Sequence, residues 1–197
     1  MAKNRSPFRT DLDKYYAIYL GTESPPLRGR IRCWIKQFGL HCVAVYRFGQ
    51  FARRLRQRNR IVALPFLILH ALVNYYIHIV YQVGIDDATI GPGLYIGHIG
   101  TIHIGPVLIG SNFNVTHNVT IGVGHSEGRE GIPTIGDNVW VGTGAVIAGA
   151  IQIGNGVTIS NGCQVSKSIP DGSLVAGNPG RVVNREFDNS NLLGFQL

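Results

Sequence analysis

The sequence predicts a mainly β protein, in which a parallel β-helix follows an N-terminal α-helical segment. Beyond residue 84 an aliphatic residue recurs at every sixth position, glycine is abundant at 26 of 197 residues, and the preceding part shows helical spacing instead. With 45% hydrophobic and 15% charged residues, the composition excludes a disordered chain. The glycines follow no three-residue period, which excludes collagen.

Residues 1–83 are predicted to form the helical segment. Apolar residues recur at helical spacing over residues 31–57, and the arginines of residues 53–60 suit a helix C-terminus. Residues 61–81 contain no Asp, Glu, Lys or Arg, and this length could span a membrane. Because a proline and polar residues interrupt the run, we expect helices packed on a neighbouring part of the molecule or on another subunit. The alternative is a peripheral contact with an anionic membrane.

The charge of the chain is unevenly divided. Residues 1–60 contain 14 Lys and Arg against 3 Asp and Glu, a net charge of +11, whereas residues 61–197 carry a net charge of −4. A basic N-terminal third can bind an anionic membrane, a polyanionic substrate or nucleic acid, or it can be a solvated helix face. We expect no nucleic-acid partner. The three cysteines form no Cys-x-x-Cys, which favours a reduced, cytoplasmic protein, with a peripheral site at the inner face of the cell membrane as the alternative.

Residues 84–183 are predicted to form the β-helix, and residues 184–197 a C-terminal tail. The clearest run of the six-residue period is Ile135, Val141, Ile147, Ile153, Ile159 and Val165. Each hexad gives one short strand and one corner, with the aliphatic side chain inside a narrow prism. The period is interrupted between Ile121 and Ile135, so residues 122–134 are predicted to be a loop extruded from a corner.

Three motifs resemble those of hexapeptide-repeat acyltransferases. They are Gly-His-Ile-Gly at 97–100, Thr-His-Asn-Val-Thr-Ile-Gly at 116–122 and Val-Ala-Gly-Asn-Pro-Gly-Arg-Val-Val at 175–183. The chain is similar to serine acetyltransferases and to exopolysaccharide O-acetyltransferases of the colanic-acid type. The resemblance implies a left-handed β-helix, a homotrimer, and acetyl-CoA bound in the groove between adjacent helices.

Acetyl transfer to a hydroxyl needs a general base, an oxyanion donor and a channel for CoA, so we expect no metal. His98 matches the family's catalytic histidine and precedes a one-residue slip of the repeat. Asp86 matches a family aspartate and is expected to orient His98, with Asp87 as the fallback. His117 is expected to contact the acceptor or to act as a second base, and His125 could meet a neighbouring subunit's groove. Each histidine could instead be an ordinary surface or corner residue.

CoA is expected to contact mainly backbone at corners where small residues allow a close approach. The expected positions are Gly142, Thr143, Gly144, Asn161, Gly162 and Cys163. Lys167, Arg181 and Arg185 are the cations that follow the extruded loop, and the phosphates of CoA require cations. A glycine N–H near His98 is the expected oxyanion donor.

Two departures from serine acetyltransferases bear on the acceptor. Gly97 stands where that family has an aspartate before the base, and Gly131-Ile132 stand where it has an Arg-His pair implicated in holding the amino acid. We therefore expect a saccharide hydroxyl of a capsular or exopolysaccharide as the acceptor, with serine O-acetylation in cysteine biosynthesis as the alternative. Two further alternatives are a carbonic-anhydrase-like metalloenzyme, in which His98, His103 and His117 supply ligands to a zinc ion held between subunits, and a non-catalytic β-helix.

Overall fold

The computed structural model describes residues 5–126 and 128–197, and it begins with four helices. These are α1 (Pro7–Leu20), α2 (Leu27–Lys36), α3 (Phe38–Arg58) and α4 (Arg60–Tyr76), which a π-helical turn (Ile77–Tyr81) extends. The backbone N–H groups of Ile61 and Val62 donate to the Asn59 side chain, which caps α4. Gln82, with a left-handed φ of 55°, then turns the chain into the first strand.

Short parallel strands form the three faces of a prism with about five coils. The first face contains β1 (Val83–Ile85), β4 (Ile102–Ile104), β7 (Thr120–Gly122), β12 (Val146–Ala148) and β15 (Gln164–Val165). The second face contains β2 (Thr89–Ile90), β5 (Leu108–Ile109), β10 (Thr134–Ile135) and β13 (Gln152–Ile153), with a bridge to Ile169. The third face contains β3 (Tyr95–Ile96), β6 (Asn114–Val115), β11 (Trp140–Val141), β14 (Thr158–Ile159), β16 (Leu174–Ala176) and the antiparallel β17 (Arg181–Asn184).

The hexad residues form the core of the prism, which confirms the predicted parallel β-helix. Parallel pairing stacks Ile96, Val115, Val141, Ile159 and Val175 above one another on the third face, and all five are buried. Burying an aliphatic side chain of this size stabilises the fold by about 1.5–3 kcal/mol. The core is therefore a continuous stack in which the inward side chains of each coil pack against those of the neighbouring coils.

The three corners are named here by the faces that they join: corner 1–2, corner 2–3 and corner 3–1. Corner 1–2 of the third coil carries the predicted extruded loop, which contains an antiparallel hairpin of β8 (Gly124–Ser126) and β9 (Arg129–Gly131). The Ser126 hydroxyl donates to the Ser166 carbonyl at 2.7 Å. A Cβ at Gly124 or Gly131 would approach the side chains of Ala148 and Ala150 to 2.7 Å. The hairpin therefore folds closely onto the coils below it.

The helical segment covers the open edge of the first coil, where β2 and β3 have no further strand to pair with. The Tyr15 hydroxyl donates to the Ile96 carbonyl at 3.1 Å and accepts from the Ile96 N–H at 2.9 Å. The Tyr46 hydroxyl donates to the Ala88 carbonyl and accepts from the Ile90 N–H. Two tyrosines thus satisfy backbone groups that a missing coil would otherwise bind.

A buried ion pair completes this edge. The Arg47 guanidinium donates to Asp11 at 2.7 and 3.1 Å and also to the carbonyls of Ile90 and Gly91. Asp11 also accepts from the N–H groups of Gly93 and Leu94 at 2.7 and 2.8 Å. Burial raises the pKa of the Asp11 carboxyl, and these hydrogen bonds offset part of that rise. Asp11 and Arg47 therefore anchor helices α1 and α3 to the first coil.

The C-terminal tail returns along corner 2–3 from the last coil towards the helices. It contains α5 (Ser190–Leu193), and the Asn189 amide donates to the Asn138 carbonyl at 2.8 Å. The Asn112 amide donates to the Phe195 carbonyl at 3.0 Å. The tail therefore holds several coils together along one corner.

The apolar run Arg60–Tyr81 is a 22-residue helix long enough and apolar enough to cross a membrane, a criterion that soluble core helices also meet. It packs along α3, where the rings of Phe48 and Phe66 lie 6.4 Å apart and His70 faces Gly49. Most of its remaining surface is exposed.

Candidate active site

Corner 3–1 aligns residues that occupy equivalent positions in successive coils. His98, His117, Thr143 and Asn161 each follow a third-face strand. The Gly144 N–H donates to the His117 carbonyl at 3.2 Å, and the Asn161 side chain accepts from the Thr143 N–H at 3.0 Å. One edge of the prism therefore carries two imidazoles followed by two small polar residues.

The two histidines are neighbours with different exposure. The ring centroids of His98 and His117 lie 5.7 Å apart at an interplanar angle of 85°. His98 is exposed, whereas His117 is half-buried and its Nδ1 is buried without a hydrogen-bond partner among the described residues. His98 is therefore the imidazole that is open to a substrate, and His117 lies beside it.

A cavity of about 510 Å³ opens next to His98. Its lining consists of Lys36, Gln37, Phe38, Tyr95, Gly97, His98, Ile99 and Thr116. The first three residues come from the junction of α2 and α3. These three residues were not predicted, because no spacing rule relates a helix end to a corner of the β-helix some sixty residues later.

The corner below the histidines is formed by small residues. Gly144 and Gly162 have left-handed φ values of 74° and 68°, and a Cβ at Gly142 would collide with the Asn161 side chain. The close approach therefore requires glycine at 142, whereas glycine at 144 and 162 adopts the left-handed turn without strain, and the three together leave the corner flat. Cys163 is fully buried, and burial raises the pKa of its thiol. The expected contact of CoA with Cys163 is therefore limited to its backbone.

The glycine N–H groups of this corner serve the ladder between coils. Those of Gly97 and Gly142 donate to the carbonyls of Val115 and Ile159 at 2.9 and 2.8 Å. The Gly144 N–H donates to the His117 carbonyl. None of these three glycines is free to supply the expected oxyanion donor.

Asp86 does not lie beside His98 within one chain, contrary to our expectation. It follows β1 and so lies at corner 1–2, and none of the described hydrogen bonds joins it to His98. Asp87 lies at the same corner, 81% exposed, with an oxygen 3.8 Å from Arg53. The six-residue period already indicates this separation. His98 follows Asp86 by twelve residues, which is two hexads, so the two residues must lie two corners apart.

The expected phosphate-binding cations are also separated. Lys167 follows β15 at corner 1–2, so within one chain it lies at a different corner from His98. Arg181 pairs in register with Ala176 on the third face, next to corner 3–1 of the last coil, and is exposed. Arg185 follows β17 and is also exposed. Arg181 is therefore the cation at the end of the His98 edge.

The remaining histidines lie elsewhere. His103 is on the first face, with its ring 5.9 Å from that of His78. His125 is on the hairpin, 78% exposed and 4.0 Å from Glu130. Within residues 5–126 and 128–197 no group of three or more His, Cys, Asp or Glu side chains is arranged to hold a metal. The three histidines of the metalloenzyme alternative are not gathered in one chain.

The coiled hexads and the histidine edge together define a hexapeptide-repeat transferase. The bacterial transferase hexapeptide (six repeats) family matches residues 132–167, which run from the second face of the third coil to the first face of the fifth coil. The chain belongs to the family of hexapeptide-repeat transferases that includes the serine acetyltransferases. The expected enzyme class, an acyltransferase, is confirmed at the level of this family.

Two sequence relatives and one solved structure support this membership. The serine acetyltransferase of Bacillus pumilus is 32% identical over 180 residues, covering 86% of this chain and 78% of that enzyme. That of Buchnera aphidicola is 32% identical over 161 residues, and this chain spans 80% of its own length but only 58% of that enzyme. The crystal structure of serine acetyltransferase from Brucella abortus superposes with a TM-score of 0.70 at 25% identity, covering 92% of this chain and 69% of that one.

These relatives correct our expectation about the acceptor. We expected a polysaccharide-modifying branch, but the relatives and the structural neighbour are serine acetyltransferases. The main prediction of a saccharide acceptor is therefore wrong, and the alternative is better supported. Gly97 and Gly131-Ile132 depart from the pattern of serine acetyltransferases, yet the chain is still 32% identical to one of them over 180 residues.

Proposed function

We propose that the protein transfers the acetyl group of acetyl-CoA to the hydroxyl of L-serine, with His98 as the general base. One observation carries the proposal: an exposed imidazole faces an open cavity at the top of a flat corner formed by small residues. The names of the relatives support serine as the acceptor and an acetyl group as the group transferred.

The reaction requires a single proton acceptor. A ring nitrogen of His98 takes the serine hydroxyl proton while the hydroxyl oxygen attacks the thioester carbonyl carbon. The tetrahedral intermediate then collapses as the C–S bond breaks, and the proton on His98 passes to the CoA sulfur. The products are O-acetylserine and CoA, and the thioester is reactive enough for no metal or covalent nucleophile to be needed. His117 beside His98 would limit the positions that the acceptor hydroxyl can take.

CoA would lie along corner 3–1, below the histidines. Gly142, Gly144 and Gly162 leave room for the pantetheine arm, and Thr143 and Asn161 offer polar groups to its amides. Arg181 stands at the far end of this edge and would meet the phosphates.

The proposal includes a homotrimer in which two chains form each site. Among the residues that the structure describes, no carboxylate lines the cavity of His98, whereas Asp86 and the hairpin project from corner 1–2. Cyclic symmetry would bring corner 1–2 of one subunit against corner 3–1 of the next. The partner subunit's Asp86 could then orient His98, and Lys167 and His125 would face the shared groove.

The proposal also includes a peripheral contact with an anionic membrane at the cytoplasmic side. Exposed apolar residues follow one stripe of the α4 helix and its π-helical turn: Ile61, Leu64, Ile68, Leu72, Tyr75 and Ile79. At its start Arg54, Arg56, Arg58 and Arg60 are exposed and form no ion pair among the described residues. An apolar stripe with unpaired arginines at one end suits the surface of a bilayer with anionic lipid.

The test of the catalytic proposal is acetyl transfer by the purified protein, measured as CoA thiol release with L-serine. We expect His98→Ala to lower kcat by a factor on the order of 10² to 10⁴, the usual effect of losing a general base. The KM for acetyl-CoA should change little, because the base does not bind the thioester.

The matched control is His103→Ala, which removes another exposed histidine from the first face, away from the cavity. It should retain wild-type turnover. Absence of serine-dependent CoA release by the wild-type protein would refute the proposed acceptor. Wild-type turnover of His98→Ala would refute the assignment of the base.

A further inference from the structure

We infer that Lys36 binds the carboxylate of the amino-acid acceptor and so selects an amino acid over a simple alcohol. This inference rests on the proposed function and assigns one part of the same site. Lys36 is the last residue of α2, and it lines the cavity that contains His98.

The charge of the cavity supports this role. Lys36 is the one permanently charged side chain among the lining residues, and none of them is a carboxylate. A zwitterionic acceptor brings a carboxylate that loses water on entering, and an ammonium group is a suitable partner for it. With the carboxylate on Lys36, the hydroxyl end of a small amino acid is left to approach His98 in the same cavity.

The backbone around Lys36 is held firmly against the first coil. Gly39, two residues into the next helix, lies so close to β3 that a Cβ there would collide with the Ile96 carbonyl and lie 2.8 Å from the Tyr15 hydroxyl. The Gln37 N–H donates to the Cys33 carbonyl at 2.9 Å, and Cys33 is fully buried. The helix junction is therefore packed in a defined position beside the His98 corner, with the Lys36 side chain exposed.

The cations of the β-helix itself lie away from His98 within the chain. Arg129 on the hairpin and Lys167 are at corner 1–2, and Arg181 is at the last coil, four coils from His98. The hairpin ends at Gly131, which has no side chain, and the next residue, Ile132, has an apolar side chain that cannot bind a carboxylate. Lys36 is therefore the cation that the described chain itself places beside His98.

The test compares Lys36→Ala with the wild type by steady-state kinetics for L-serine and for L-serinamide, which lacks the carboxylate. We expect Lys36→Ala to raise the KM for L-serine about 10- to 100-fold, the effect of losing one charge-assisted hydrogen bond. The kcat and the KM for acetyl-CoA should stay within about threefold. Lys36→Arg should restore most of the affinity, because the charge is kept.

Serinamide distinguishes this role from a general disturbance of the site. Wild type and Lys36→Ala should have the same KM for serinamide, because the interaction lost by mutation is already absent from the substrate. Arg32→Ala, one helical turn earlier on α2, and Arg129→Ala are controls that should leave the KM for serine unchanged.

The outcomes separate this inference from the proposed function. If the wild type does not acetylate serine, the proposed function fails. If it does, and Lys36→Ala leaves the KM for serine unchanged or raises that for serinamide equally, the role of Lys36 is refuted. A rise in the KM for serine with Arg129→Ala in place of Lys36→Ala would assign the carboxylate to the hairpin and would also refute it.

Discussion

Lys14 is a fully buried cation whose environment is made of neutral acceptors. Its ammonium group donates to the Gly93 carbonyl at 2.8 Å and to the Asn112 side chain at 2.6 Å. Burial lowers its pKa from 10.5 to about 7, and the nearby charge of Asp11 opposes that shift. Below about pH 7 the folded protein therefore contains a buried charge, which lowers its free energy of unfolding. Above about pH 7 Lys14 loses its proton in the folded protein.

This shift predicts that stability rises with pH. Between about pH 7 and 10.5 the unfolded chain binds a proton at Lys14 that the folded chain has released, so the free energy of unfolding increases with pH. Lys14→Gln keeps a neutral donor and removes the titration. In urea denaturation, wild type should gain on the order of 3 kcal/mol relative to Lys14→Gln between pH 6 and pH 9.5.

The control for this prediction is Lys167→Gln, which removes an exposed lysine and should show no pH-dependent difference from wild type. A constant difference between Lys14→Gln and wild type across the same pH range would contradict the lowered pKa.

At the level of single residues the sequence predicted the site in part. The hexad period relates His98, His117, Thr143 and Asn161, because equivalent corners are separated by about 18 residues plus any insertion. Matching Asp86 by family resemblance alone ignored this count of corners. Lys36 was not predictable, because its position depends on how two helices dock, and docking has no periodic signature.

The β-strands were predictable because each obeys a local rule. A strand of two or three residues with one inward aliphatic side chain repeats in every hexad, so periodicity identifies the coils without long-range information. The hairpin lacks that period, and its strands pair only with each other, so it was predicted only as a loop. The tyrosine and Asp11–Arg47 contacts join positions 36 to 83 residues apart, and separations of this kind produce no periodic pattern in the sequence.

The exposed stripe of α4 makes a prediction about lipid binding. In vesicle co-sedimentation, the protein should bind phosphatidylcholine vesicles containing 30% phosphatidylglycerol, a composition of roughly physiological charge, and bind pure phosphatidylcholine much less. Salt at 0.5 M, roughly three times physiological strength, should weaken the binding because it screens the arginines. Arg56→Gln with Arg58→Gln should lower the partition coefficient about 30-fold, since each interfacial arginine contributes about 1 kcal/mol.

Arg129→Gln is the matched control, because it removes an exposed arginine from the hairpin, which belongs to another element. It should bind anionic vesicles as wild type does. Equal binding to neutral and anionic vesicles, or no binding to either, would contradict an anionic membrane contact and would leave the stripe to protein–protein packing.

For the whole molecule, the separation of Asp86 from His98 predicts complementation between subunits. His98→Ala and Asp86→Asn should each be inactive alone. Coexpression in equal amounts should restore about a quarter of wild-type activity, because random mixing in a cyclic trimer gives that share of interfaces with both native residues. The measurement is CoA release by the mixed protein, with its mass checked by light scattering.

The control mixture pairs His98→Ala with a chain that carries both substitutions, and it should remain inactive. Mixed trimers without activity, or full activity of Asp86→Asn alone, would contradict a site shared in this way. A monomeric mass for the wild type would do the same.

The hydrogen bonds from Tyr15, Tyr46, Asp11 and Arg47 to the first coil have a consequence for the order of events during synthesis. These side chains all belong to α1 and α3, which leave the ribosome before any strand does. A docking surface for β2 and β3 is therefore complete when they emerge, and each later coil finds the previous one already ordered. Growth of the solenoid then has one direction, from the N-terminus, and the growing end is always the most recently translated coil.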